Sequence, residues 1–110
     1  MNTNVESCLK YFDFFSKKDL KNLENIFSNE ITLRDWEIYE KGKINVINAN
    51  KKIFDSVNSI RVEPINLYID GNTVIAELQI TVDNSIVELV VDIISFDNHN
   101  KINSIRAYKG

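Results

Sequence analysis

The chain carries one cysteine, Cys8, so an intrachain disulfide is impossible. His99 is its only histidine, and one Cys and one His cannot assemble a zinc-type cage, which needs about four such ligands around one ion. One proline and three glycines among 110 residues are too few for a collagen-like or low-complexity chain. No apolar run approaches the roughly 20 residues that cross a bilayer, so no membrane partner is expected. Met1 to Cys8 lack the basic start and apolar stretch of a secretory leader, which makes a cytoplasmic address the expectation. Basic charge is not in excess either: 13 Lys and Arg stand against 16 Asp and Glu, for a net charge of -3. Neutralising phosphates takes clustered cations, and no basic stripe exists, so nucleic acid is not an expected partner.

What remains is the make-up of a packed core: 44% hydrophobic residues, with no linker or repeat, read as a single domain over 1–110. Val5, Cys8, Leu9, Phe12 and Phe15 recur at three- and four-residue steps, the period of an amphipathic helix. Asp19 is placed to cap a second helix whose stripe is Leu20, Leu23, Ile26 and Phe27, ended by Ser28 and Asn29. Ile31, Leu33 and Arg34-Asp35-Trp36 read as a short strand. Beyond Gly42, the positions Ile44, Ile47, Ile53, Phe54 and Val57 predict a third helix with an Asn-rich middle.

After Ser59 the pattern changes to alternation. Val74, Ala76, Leu78, Ile80 and Val82 share one face of a strand, and Thr73, Glu77, Gln79 and Thr81 the other. Turn residues at Asp70-Gly71-Asn72, Asp83-Asn84 and Asp97 to Asn100 divide the remainder into a four-strand meander. Ile86 to Phe96 is apolar on both faces, as a central strand covered on each side requires, with helices on one side and a second subunit expected on the other. Glu77 and Glu88 are expected to face solvent or that subunit.

Three helices followed by four strands is the order of elements in the nuclear transport factor 2-like superfamily, and the local words match it. Tyr11 and Phe12 leading into Ser16-Lys17-Lys18-Asp19-Leu20 resemble the first helix junction of SnoaL-like polyketide cyclases and ketosteroid isomerases. Ile31-Thr32-Leu33-Arg34-Asp35, Val91-Asp92-Ile93-Ile94-Ser95-Phe96 and the closing Lys101 to Tyr108 segment extend the resemblance over nearly the whole chain. The fold it implies is α+β, a cone-shaped barrel in which N-terminal helices pack on a curved antiparallel sheet. The implied chemistry is proton abstraction next to a carbonyl, without cofactor, on a small hydrophobic molecule. On that resemblance Asp35 is the base, and Tyr11 with a protonated Asp92 donates hydrogen bonds to the oxyanion, a division of labour for which ketosteroid isomerase is the general example. Trp36, which follows the candidate base, departs from the usual pattern and narrows the pocket mouth. Phe15, Trp36, Phe54, Val90, Ile105 and Ala107 are the expected cavity lining.

Each residue has a structural alternative. Tyr11 lies beside a core stripe, and Asp35 could pair with Arg34, Lys41 or Lys43 on the surface. For Asp92 the register of the last hairpin decides. A four-residue connection from Asp97 to Asn100 sets Phe96 opposite Lys101 and Asp92 opposite Ile105, leaving the carboxyl among apolar neighbours. A connection one residue shorter sets Arg106 opposite Asp92 and neutralises it. The four-residue connection is the expected one. Three functions share these residues: an isomerase-like enzyme; a non-catalytic small-ligand or protein-binding domain; and a cyclase, dehydratase or epoxide hydrolase. A homodimer through the outer sheet face is expected in each case.

Overall fold

In the computed structural model, which describes residues 2–110, the first helix opens where an Asn side chain can satisfy free amides. Asn2 Oδ1 accepts from Asn4 N at 2.8 Å and Val5 N at 3.3 Å, and α1 runs Thr3–Ser16. Its inward face is Val5, Cys8, Tyr11 and Phe12. Lys18 adopts a positive φ of 56°, turning the chain into α2 (Leu20–Ile26), which Asp19 caps through Asn22 N. The helix is shorter than its periodicity suggests. Phe27, read from the sequence as the end of the helical stripe, instead opens strand β1 (Phe27–Arg34) with no intervening loop. Its ring is buried from the strand rather than from the helix, so a short apolar run at this junction fits both periods.

Strand β1 stops at Arg34, which leaves Asp35 and Trp36 in the turn to a three-residue strand, β2 (Tyr39–Lys41), that the sequence did not reveal. Gly42, at φ 90°, then starts α3 (Lys43–Ser56). The buried face of α3 is Val46, Ala49, Asn50 and Phe54, rotated from the expected stripe, and Ile44 is 79% exposed. Strands β3 (Ile60–Asp70), β4 (Thr73–Val82), β5 (Ile86–Phe96) and β6 (Ile102–Lys109) form the meander. Gly71 opens the first hairpin turn at φ 62°, while Asp83 and Asn84 adopt φ 53° and 60° in the second, the left-handed pair that suits the twist of flanking strands.

The sheet has six strands in the order β2-β1-β6-β5-β4-β3, the short β2 being the one not expected. All pairings are antiparallel except β1 with β6, which is parallel, so the sheet is mixed. Its edges are blunted: β2 is short, and β3 carries Pro64 and an irregularity between Pro64 and Asn66. The α1 helix crosses β3 and β4, and α3 lies against β1 and β2. Between helices and sheet lies the core, including Phe12, Leu23, Ile31, Val74, Ile94 and Ile102.

The last hairpin departs from both registers considered above. Phe96 pairs with Ile102, and one extra residue near Asn103 then shifts the ladder, so that Ser95 faces Ser104 and Asp92 faces Ala107. Five residues rather than four connect the strands, with Asp97 N donating to Lys101 O at 2.9 Å. The two departures together move the register by two residues relative to the expected one. Side-chain parity is therefore kept: Ile105 and Ala107 stay on the inner face with Asp92, and Arg106 is exposed opposite Ile93.

One side chain fixes α1 to the sheet. Ser16 Oγ donates to Phe12 O at 2.8 Å and accepts from Val62 N, on edge strand β3, at 2.9 Å. Replacing Ser16 with Ala leaves that strand amide without its acceptor, a loss of about 1–3 kcal/mol for a buried donor. Urea unfolding of Ser16→Ala is expected to show a destabilisation in that range, with an unchanged m-value.

Candidate functional site

A cavity of about 240 Å³ opens between the inner sheet face and the helices. Each wall contributes through its own periodicity. Tyr11 and Phe15, four residues apart, project from α1; Asn50, Ile53 and Val57 come from the α3 side; and Leu78, Val90, Asp92, Ile105 and Ala107 alternate along the sheet. The loop after β1 brings Asp35, Trp36 and Glu37 to the rim.

The structure thus gathers Tyr11, Asp35 and Asp92 around one space, together with Phe15, Trp36, Val90, Ile105 and Ala107. Phe54 is not part of the lining. It is buried behind Phe15, with ring centroids 4.7 Å apart in an edge-on arrangement, and holds that ring from the rear. Glu88 is also displaced from its expected place, since it reaches the cavity wall and pairs with Lys109 at 3.2 Å. Glu77 does lie on the outer face, where it accepts from Tyr68 Oη at 2.9 Å and Asn66 Nδ2 at 3.1 Å.

Electrostatically the site is defined by burial. Asp92 is 7% exposed, and no hydrogen bond to its carboxyl forms among the described residues. Desolvation pushes its pKa up to about 7, because the charged form loses water without gaining a partner. Tyr11, 6% exposed, has its pKa raised well above the usual phenol value, first by burial and then by the Asp92 charge. Cys8 is pushed up to about 12 by the same two causes and stays a thiol. Tyr11 therefore remains a hydroxyl donor, and Asp92 becomes one below about pH 7.

Asp35 is held differently. Its Oδ1 accepts from Glu37 N at 2.7 Å and Ile38 N at 2.8 Å, while its own amide donates to Ile38 O at 3.0 Å. No ion pair with Arg34, Lys41 or Lys43 forms among the described residues; Arg34 instead lies over the Tyr39 ring at 4.4 Å. The turn therefore fixes the carboxylate plane through one oxygen and leaves Oδ2 without a protein partner. Trp36, 45% exposed, covers the rim with Lys109 Nζ 5.5 Å from its ring centre.

Several lining residues lie outside the expected set, Glu37, Leu78 and Glu88 among them, and the most enclosed polar one is Asn50. Asn50 is 2% exposed, and its Nδ2 finds no hydrogen-bond partner. Its signal was present in the spacing Val46-Asn50-Phe54, which places an amide in the middle of a buried helical stripe.

Asp92 makes stability depend on pH in a definite direction. Its folded-state pKa, about 7, exceeds the unfolded value of 3.8, so the folded protein binds the extra proton between these limits. The associated stability is complete below about pH 4 and is lost as pH rises through about 7. Asp92→Asn removes this dependence. Urea unfolding is expected to find the variant more stable than the wild type at pH 8 by about 2–4 kcal/mol, with the difference vanishing near pH 4.

No family model and no curated protein sequence matches the chain. Solved structures do. A protein of the SnoaL-like family from Agrobacterium tumefaciens superposes with a TM-score of 0.87 at 11% identity, over 100% of this chain and 99% of that one. An NTF2-like protein of unknown function from Cytophaga hutchinsonii gives 0.84 at 12% identity, over 100% and 92% of the two chains. An LEH-like epoxide hydrolase from M. tuberculosis gives 0.85 at 12%, over 98% and 83%. Proteins assigned as ketosteroid isomerases and polyketide cyclases are also among the neighbours. With identities this low the shared property is architecture, and the chain has the nuclear transport factor 2-like fold.

Proposed function

We propose that this protein is a SnoaL-like, ketosteroid isomerase-like enzyme that abstracts a proton next to the carbonyl of a small hydrophobic substrate. The observation that carries the reading is the pairing of two buried donors, Tyr11 and Asp92, in one apolar cavity with no protein acceptor for either. Donors held dry and unpaired at a fixed place stabilise an oxygen on which negative charge develops, and they need no reorganisation when it does. In this reading Asp35 Oδ2 takes the proton from the carbon next to the carbonyl and returns it elsewhere. The turn amides at Oδ1 keep the carboxylate oriented. A cavity of about 240 Å³ lies below the usual 300–1,000 Å³ of drug-sized sites, which favours a ligand of one or two rings.

A second reading keeps the cavity and drops the base. The hydrogen bonds at Asp35 Oδ1 also serve the turn itself, which fits a non-catalytic binding domain in which Asp35 has only a structural task. A related alternative, supported by the M. tuberculosis neighbour, is attack of an activated water on an epoxide or another cyclase or dehydratase step, where paired acids act equally well.

The test is binding of 2-naphthol, a phenolic mimic of an enolate, followed by its fluorescence. Tyr11→Phe and Asp92→Ala are each expected to weaken it about 10- to 100-fold, the range for losing a strong hydrogen bond. Asp35→Asn is expected to leave that affinity within about threefold while turnover of an unsaturated ketone falls about 10²- to 10⁴-fold. Variant-insensitive binding would overturn the oxyanion site, and tight binding without turnover would favour the non-catalytic reading. Because the reaction requires protonated Asp92, kcat/KM is expected to fall about tenfold per pH unit above pH 7.

We also propose a homodimer through the outer sheet face, where Ile65, Tyr68, Val87, Leu89 and Tyr108 are each half exposed. Sedimentation equilibrium is expected to give twice the 12.7 kDa chain mass at micromolar concentration, and Leu89→Glu a single chain. A wild-type mass of one chain would rule the dimer out.

A further inference from the structure

Tyr11, Asp35 and Asp92 carry the proposed chemistry, and Asn50 has no task in it. Asn50 is the most enclosed polar residue of the cavity lining, at 2% exposure, and it stands on α3, a different wall from α1 and the sheet. Its amide forms no side-chain hydrogen bond among the described residues, and Nδ2 is buried without a partner. A buried amide in this state weakens the fold, whereas a leucine of similar volume would pack against Val46 and Phe54 without that cost. Local helix chemistry gives no reason for it either, since Asn is a mediocre helix former at a mid-helix position.

Charge around the cavity narrows what the amide can meet. Asp35, Glu37, Glu88 and Asp92 all line it, and no Lys or Arg does among the described residues. An anionic group would be repelled by the Asp35 and Glu37 carboxylates, and the cation at the mouth, Lys109, is already paired with Glu88. A neutral oxygen is the complement of a neutral amide, which donates through Nδ2 and accepts through Oδ1.

We infer that Asn50 is a specificity-determining residue that hydrogen-bonds a second, uncharged oxygen of the ligand, a hydroxyl or carbonyl, at a distance from the carbonyl held by Tyr11 and Asp92. This rests on the proposed ligand site and names its substrate class: an uncharged one- or two-ring ketone bearing a second oxygen. Tyr11 on α1, Asp92 on β5 and Asn50 on α3 approach from three walls, so two oxygens on a rigid ring system fix both the position and the rotation of the ligand. A ligand with one oxygen leaves the amide unpaired in an apolar wall, and that penalty is the source of discrimination.

The experiment compares 2-naphthol with a set of naphthalenediol isomers, titrated by fluorescence into the wild type, Asn50→Leu and Asn50→Ala. In the wild type the best diol is expected to bind about tenfold or more tightly than 2-naphthol, one hydrogen bond's worth of preference. In both variants that preference is expected to collapse to about twofold or less, while 2-naphthol affinity stays within about threefold of wild type and so reports an intact cavity. The melting temperature of Asn50→Leu is expected to rise, which a residue retained only for folding would not allow. Absence of any diol preference in the wild type, or its survival in the Asn50 variants, overturns the inference. So does a fall of both affinities together in both variants. If 2-naphthol itself does not bind the wild type, the Tyr11 and Asp92 site fails first and this inference fails with it; retained naphthol binding without diol selectivity overturns the Asn50 assignment alone.

Discussion

The arrangement around Asp92 depends on how β6 fits between its two neighbours. That strand pairs antiparallel with β5 and parallel with β1, and both ladders change register around Asn103. Ser28 Oγ, from β1, donates to Asn103 Oδ1 at 2.7 Å at the same place. Relative to β5, β6 carries a single extra residue here, and the pairing of everything C-terminal to it follows. Because side chains alternate along a strand, the position of that residue decides whether Asp92 has an alanine or an arginine for a neighbour. With Ala107 opposite, the carboxyl has neither a cation nor a donor, and its raised pKa follows from geometry alone.

The same sheet must satisfy two conflicting demands. A tightly packed core would fill the space above Val90, Asp92 and Ile105, and would be more stable for it. Here the space is kept open by rings braced from behind, Phe15 against Phe54 and Tyr11 against Phe12 and Phe27. Three polar groups are then buried at its wall without partners in the fold. Natural sequences depart from local consistency in this way at sites that serve something other than folding.

Much of the architecture is legible in the chain because its elements obey strong periodicities. The β4 alternation is buried at Val74, Ala76 and Leu78 and continues as cavity lining at Ile80 and Val82, although Thr81 of the other face is buried too, and α1 buries Val5, Cys8 and Phe12 of its stripe. Turn residues located the hairpins because Gly71, Asp83 and Asn84 adopt positive φ values that few other residues tolerate. Legibility ended where a short segment fitted two periods or where pairing was non-local. Phe27 satisfied both helix and strand, β2 was too short to show a pattern, and the β1 to β6 pairing joins residues some seventy positions apart. The bulge at Asn103 could not be read, and the side chain that Asn103 meets, Ser28, lies on another strand far away in the sequence. At the site, residues marked by chemical type were found, while Asn50 was hidden among the other asparagines of α3.

Ser16 has both the donor and the acceptor capacity of its hydroxyl engaged, one within α1 and one on the sheet edge. It therefore acts as a pivot pin. The helix that carries Tyr11 cannot slide along its axis without breaking the contact to Val62 N, and Tyr11 lies five residues away on the same helix. The height of the phenol above the Asp92 floor is in this way calibrated by an atom outside the cavity, so the alignment of the two buried donors is a property of how α1 is hung on β3.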